Sequence, residues 1–447
     1  MINLYILFVM SNNFQKFNIN TKVFLTLQLF VIGLLIYNMS FSLREFSDEI
    51  VSLSSNINFW NNDFDFRSGN SNEYSSYNPK LTAGPISAIG SSLSWNITQT
   101  LQSLRIFNFI YVYLVQVVFC FFISKKHNIN FEMLLIICGF VITSIPWWYG
   151  TLYSLGEIIC SILFFNSLIL FNSFRRSALV LMSISIFFGK FIFIICFLGF
   201  YFSVLISEKI NLNIFKDVFY FLIPLSFWLL LVYMYYEDSL SSYFSNFVFV
   251  YFQQAELTGS VNFSISSIIE NFQSSEVSTW NIAVTLRVFL APILISYLLI
   301  KKNVFGTDID RHLLFSIGFI YIYFWLLNPK KSVIYSQNFT YITLMLGLIV
   351  AFSLINSGKK INKLLSLFII SVFMSSNVIF LLFIIFMLFV MVKDTNLNSV
   401  KMLLITFLLV SQLNSFIESQ ENEKFTFIIS ECIEKFNTEI CNSDGYK

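Results

Sequence analysis

The sequence predicts an all-α fold, a polytopic transmembrane helical bundle of about 13 spans. Three observations lead there. Of 447 residues, 56% are apolar and only 12% are charged, with phenylalanine alone at 56 positions. A water-soluble domain carries about 25% charged residues to cover its surface. Disordered chains are poor in aromatics and rich in charge, so disorder is excluded by the same numbers. The second observation is a series of apolar runs, the longest at 364–392 exceeding the roughly 20 residues that cross a bilayer. The third is that basic residues gather at alternate ends of those runs, as the positive-inside bias requires.

The elements follow in order. Residues 23–39 come after Lys16 and Lys22 and lack a small-residue cleavage site, so they read as a retained first helix with a cytoplasmic N-terminus. Residues 106–123 return to Lys125-Lys126. Residues 131–145 go out to Pro146-Trp147-Trp148-Tyr149-Gly150, whose aromatics suit the outer interface and whose Pro and Gly suit a tight turn. The return span ends at Arg175-Arg176. Residues 179–188 and 191–206 form a short hairpin with Lys190 near its outer turn, and Glu208, Lys209 and Lys216 lie inside again.

Residues 218–235 go out and 288–300 return to Lys301-Lys302. Residues 313–327 go out to Asn328-Pro329-Lys330-Lys331, and 341–354 return to Lys359-Lys360. The run 364–392 is long and carries the polar break Ser375-Ser376-Asn377, so it reads as two short helices or one tilted one. A last span, 402–413, leaves the acidic tail outside. Residues 1–417 therefore form one transmembrane domain, followed by a polar tail, 418–447. Two polar stretches, 41–103 and 237–281, are outer loops.

The remaining composition excludes several classes. No basic run exceeds two residues, which removes nucleic acid as a partner. Cys120, Cys138, Cys160 and Cys196 lie in apolar runs and read as small hydrophobes. Cys432 and Cys441 are placed to pair if the tail faces an oxidising compartment. His127 and His312 adjoin Lys126 and Arg311 at basic turns and read as interfacial residues.

The outer stretches hold the candidate chemistry. Asp48 and Glu49 follow the first span, and a carboxylate partly shielded from water at a membrane surface can act as a general base. Asp63 and Asp65 compete for that role. Residues 77–85 lead into 86–104, where apolar residues alternate with Ser, Thr, Gln and Asn; this segment predicts a helix lying along the bilayer surface. Arg105-Ile106-Phe107-Asn108 then opens the second span, and Leu155-Gly156-Glu157 stands at the outer end of the fourth.

This order resembles the polytopic GT-C glycosyltransferases, relatives of the protein mannosyltransferases and aminoarabinose transferases. The corresponding residues are Asp48-Glu49, Thr82-Ala83-Gly84-Pro85, Arg105-Ile106-Phe107-Asn108 and Leu155-Gly156-Glu157. The likeness covers about the first 175 residues; beyond them only the number of helices and the outer loops agree. The extended Asn-rich spacer between Asp48-Glu49 and Gly84-Pro85 departs from the pattern.

The resemblance implies transfer, with inversion, of a sugar from a polyprenyl-phosphate donor to a hydroxyl of a glycan, lipid or protein. It places the chain in the inner (plasma) membrane with its active site on the outer, periplasmic side. Asp48 or Glu49 would be the catalytic base. The lipid phosphate leaves as an anion, so cations and not a general acid are required. Lys330 and Lys331, which break the inside-positive pattern, are the first candidates for donor binding, joined by Arg105 and Arg287. Glu157, an ionisable group inside a span, would contact substrate or pair with Arg105. No cofactor beyond the lipid-linked donor is implied, and a divalent metal stays open.

Two other functions compete. An O-antigen-type polymerase or ligase relies on outer-loop arginines, and 237–281 contains none. A transporter would show Gly- or Pro-interrupted helices in two matching halves, whereas Gly and Pro number 15 and 6.

Overall fold

The computed structural model describes residues 19–42, 47–61, 64, 84–143, 151–152, 154, 156–208, 212–235, 291–327, 342 and 345–350. Among them there is helix and no strand. In chain order the helices are α1 (Ile19–Ser42), α2 (Ser47–Asn61), a 3₁₀ turn (Pro85–Ala88), α3 (Ile89–Trp95), α4 (Leu101–His127), α5 (Phe131–Thr143), α6 (Glu157–Ile169), α7 (Arg175–Phe187), α8 (Phe193–Ser207), α9 (Leu212–Tyr235), α10 (Ala291–Lys302) and α11 (Thr307–Leu327).

Two of the described helices are long and apolar enough to cross a membrane: Val23–Ser40 within α1, and α4. The hairpin predicted around Lys190 is present as α7 and α8, of 13 and 15 residues. At 1.5 Å per residue these are about 20 and 22 Å long, less than the ~30 Å of a hydrocarbon layer. Helices α5 and α6, of 13 residues each, are similarly short. The later predicted spans, beyond residue 350, and the tail lie outside the described residues.

The core is apolar, but at several levels a polar side chain is buried in it while apolar neighbours on the same helix face outward. In α1, Gln28 is buried while its neighbours Leu27, Leu29 and Phe30 are exposed. Gln28 donates to the carbonyl of Ile136 in α5 at 3.1 Å, and Gly139 leaves the space its amide occupies. In α4, Gln116 is buried and Leu114 is 56% exposed. Asn166 of α6 donates to Gln116 Oε1 at 2.8 Å. Buried polar groups need partners, and these two amides find each other. Bare Leu, Ile and Phe side chains also line α9, including Phe219, Leu222, Ile223 and Leu230. A helix that is apolar on its outer face as well as its packed face suits a lipid surrounding.

The bundle has two chemically distinct ends. At one end, the ring of His127 at the foot of α4 meets Phe305 in the turn before α11. Lys126 lies over Phe174, and Arg175 joins Glu208 and Asp217. The basic turns that the sequence assigns to one side are thus together in space. One sequence expectation fails there. His312 is not interfacial but buried, with Nδ1 2.9 Å from Ser203 Oγ and its ring edge-on to Phe171 and Phe200.

At the other end, the described parts of the stretch 41–103 include helix at Ser47–Asn61, Pro85–Ala88 and Ile89–Trp95. The surface helix predicted over 86–104 is interrupted. The 3₁₀ turn and α3 form one piece, a turn at 96–100 follows, and Leu101–Leu104 already belong to α4. Ile97 and Thr98 both donate to the carbonyl of Ser94, and Thr98 Oγ1 bonds Ser103. These turn bonds, with the hydroxyl pair beside them, separate α3 from α4. Gly90 allows α3 to rest on α4, since a Cβ there would stand 2.3 Å from the carbonyl oxygen of Phe107.

Candidate functional site

The site is built where α1, α2, α3 and α4 meet. Arg105, five residues into α4, is 1% exposed, and Glu49, in the first turn of α2, is 0% exposed. Arg105 Nε donates to Glu49 Oε1 at 2.8 Å and Nη2 to Oε2 at 2.7 Å. Its Nη1 donates to the carbonyl of Ser40 at 3.2 Å. That carbonyl belongs to the last turn of α1, where helix oxygens lack intrahelical donors. One guanidinium therefore clamps the end of α1, the start of α2 and the start of α4. The fork geometry of Arg matches a carboxylate on both oxygens, which Lys does not.

A layer of small polar groups continues from this clamp. Asn108, almost one turn along α4 from Arg105, donates to the carbonyl of Thr151 at 2.9 Å; its own Oδ1 is buried without a partner. Ser52 of α2 donates to the carbonyl of Ser154 at 3.0 Å. Ser91 of α3 bonds the carbonyl of Leu104 at 2.9 Å. Ser92 shares its hydroxyl between the carbonyls of Ala88 and Asn56. Trp60, near the end of α2, donates to the carbonyl of Pro85 at 2.8 Å.

A second ion pair lies on the far side of the Pro85–Ala88 turn. Gly84 donates its amide to Gly189 at 2.7 Å, and Ile86 donates to Phe188 at 3.1 Å. The next residue, Lys190, pairs with Glu157 at the start of α6. These side chains are 18% and 12% exposed, and Glu157 Oε2 is buried without a hydrogen-bond partner. Gly156 precedes Glu157 with φ +86°, a left-handed conformation that a residue with a Cβ adopts at a cost. The expected partnership of Glu157 with Arg105 does not form, because Glu49 occupies both forks of that guanidinium. The sequence places Lys190 only near a turn; the signal for the pair is that this cation stands close to an apolar run that carries the acid Glu157.

Other candidates fall differently. Asp48 is helical, in the first turn of α2. Arg287, Lys330 and Lys331, and the competing Asp63 and Asp65, lie outside the described residues. Among the described residues no group of three or more His, Cys, Asp or Glu comes together to hold a metal. Glu49 and Arg105, 56 residues apart in sequence, are brought together, and α2, the Pro85–Ala88 turn and α3 pack beside them.

Comparison of the chain with protein-family models, with curated proteins and with solved structures found no match.

Proposed function

We propose that this chain is a multi-pass membrane glycosyltransferase of the GT-C type, moving a sugar from a polyprenyl phosphate to a hydroxyl acceptor with inversion. The observation that carries the reading is the buried Glu49–Arg105 clamp. It ties the acidic segment after the first apolar helix to the entry of the second, which gives the motif order a physical purpose. The apolar outer faces of α1, α4 and α9 support the membrane setting.

In this reading the two acids divide the work. Glu49 has both oxygens bound to a guanidinium and no exposure, so it positions the segment and does not accept substrate protons. Asp48, one residue earlier, is the base. The acceptor hydroxyl oxygen attacks the anomeric carbon while its proton passes to the Asp48 carboxylate. The bond from that carbon to the phosphate oxygen breaks, and its electron pair leaves on the phosphate. Lys330 and Lys331 stabilise the charge that grows there. Glu157, steered by Lys190, is a substrate contact, and Arg287 is a further donor contact.

The test supplies polyprenyl-phosphate monosaccharides to the purified chain in proteoliposomes and measures released polyprenyl phosphate. Turnover of at least one donor, reduced about 5- to 30-fold by Lys330→Ala with Lys331→Ala, is the expected result. No turnover with any hexosyl or pentosyl donor and acceptor pair would sink the assignment.

A further inference from the structure

We propose that the basic end of the bundle, formed by the foot of α4, the starts of α7, α9 and α11 and the end of α10, is a docking surface for acidic phospholipid headgroups. The inference rests on the membrane setting above, not on glycosyl transfer.

Six cations there are exposed: Lys125, Lys126, Arg176, Lys216, Lys301 and Arg311. Four of them lie over aromatic rings. Lys125 is 4.3 Å from the centroid of Phe121, Lys126 4.9 Å from Phe174, Arg176 5.3 Å from Tyr220 and Lys301 5.4 Å from Tyr297. Phe121, Phe122 and Phe174 touch in sequence, so the lysines of α4 and the start of α7 share one aromatic strip. Exposed cations resting on aromatic rings at the edge of an apolar bundle suit a bilayer interface, where basic and aromatic side chains gather.

Nearby carboxylates do not cancel this charge. Glu208 and Asp217 share Arg175, which donates Nη1 to Glu208 at 2.8 Å and Nε to Asp217 at 2.9 Å, so this cluster offsets only one of the six exposed cations. Asp310 is buried, where it accepts the amide of Phe305 at 3.2 Å. Asp308 is exposed and Glu132 half-buried, leaving a clear excess of exposed cations. A surface with this excess attracts anionic headgroups, and the attraction falls off within a Debye length.

The experiment places the full chain in nanodiscs of equal phosphatidylcholine and phosphatidylglycerol, and counts lipids retained on the ejected protein by native mass spectrometry. The wild type should retain phosphatidylglycerol over phosphatidylcholine by roughly fivefold or more, and Lys126→Gln with Arg176→Gln and Lys216→Gln should lose most of that preference. Equal retention of the two lipids by the wild type overturns the proposal. So does a preference abolished by added inorganic phosphate at constant ionic strength, which would mean a small-anion site. Resistance to alkaline extraction from phosphatidylcholine vesicles is measured in parallel. Failure there removes the membrane setting and this surface together, whereas insertion without lipid preference removes only the surface.

Discussion

Arg105 and Glu49 meet on both oxygens, at 2.8 and 2.7 Å, in a site with almost no solvent exposure. Burying two charges is costly, and their attraction offsets that cost only when geometry is good and remaining donors are satisfied. Both conditions hold, because the third nitrogen of Arg105 reaches Ser40. Removing one partner takes from the other buried charge the two bonds that face it. Glu49→Gln or Arg105→Met alone should therefore destabilise the protein by about 3–5 kcal/mol. The double variant should lose much less than the sum of the two. Thermal unfolding in detergent across the four proteins measures this, and additive losses would mean that the pair is not coupled.

Gly189 is packed against three neighbours. A Cβ there would stand 2.3 Å from Cys160 Sγ and 2.4 Å from the carbonyl oxygen of Ser185. The second of these is backbone and cannot swing away. Gly189→Ala should cost about 1–3 kcal/mol, as overpacking typically does. It should also loosen the segment that Gly84 and Ile86 hold against this turn. Faster amide exchange at residues 84–88, with little change at the Arg175 end, is the expected signature.

Asp310 introduces a pH dependence. Burial pushes its carboxyl up from 3.8 to about 6, against the smaller opposing effect of the amides of Phe305 and Val304. The folded state therefore holds a proton that the unfolded chain has already released. Stability from this group is complete below about pH 4 and is lost as pH rises through about 6, by roughly 2 kcal/mol. The melting temperature of the wild type should fall over that window relative to Asp310→Asn, whose side chain does not titrate. Parallel curves for the two proteins would assign the effect elsewhere.

Much of this arrangement is legible in the sequence, and the parts that are not have identifiable reasons. The helical class, the hairpin around Lys190 and the gathering of basic turns at one end follow from apolar run length and charge placement. The candidates Glu49 and Arg105 were also visible, but not as a pair. Charge complementarity alone let Arg105 pair with Glu157 as readily as with Glu49. The choice depends on the α1–α2 junction, whose carbonyl at Ser40 adds a third bond. The interleaved Ser and Thr of 86–104 fit an amphipathic pattern that overstates the length of the surface helix. Their hydroxyls instead bond the backbone and one another, and stop α3 at Trp95. His312 looked interfacial beside Arg311, yet it faces inward on its helix, where a partner serine awaits on α8.

The most direct test of the account compares Asp48→Asn with Glu49→Gln in the same preparation, measuring both melting temperature and turnover of a polyprenyl-phosphate sugar. The two residues adjoin in the first turn of α2, but the account gives them separate tasks. Asp48→Asn should lower turnover by about 10²- to 10⁴-fold, the usual contribution of a general base, with an unchanged melting temperature. Glu49→Gln should lower the melting temperature, and should lose turnover only as far as folded protein is lost. Wild-type turnover in Asp48→Asn, or a Glu49→Gln protein that is inactive yet fully stable, would contradict the division of roles.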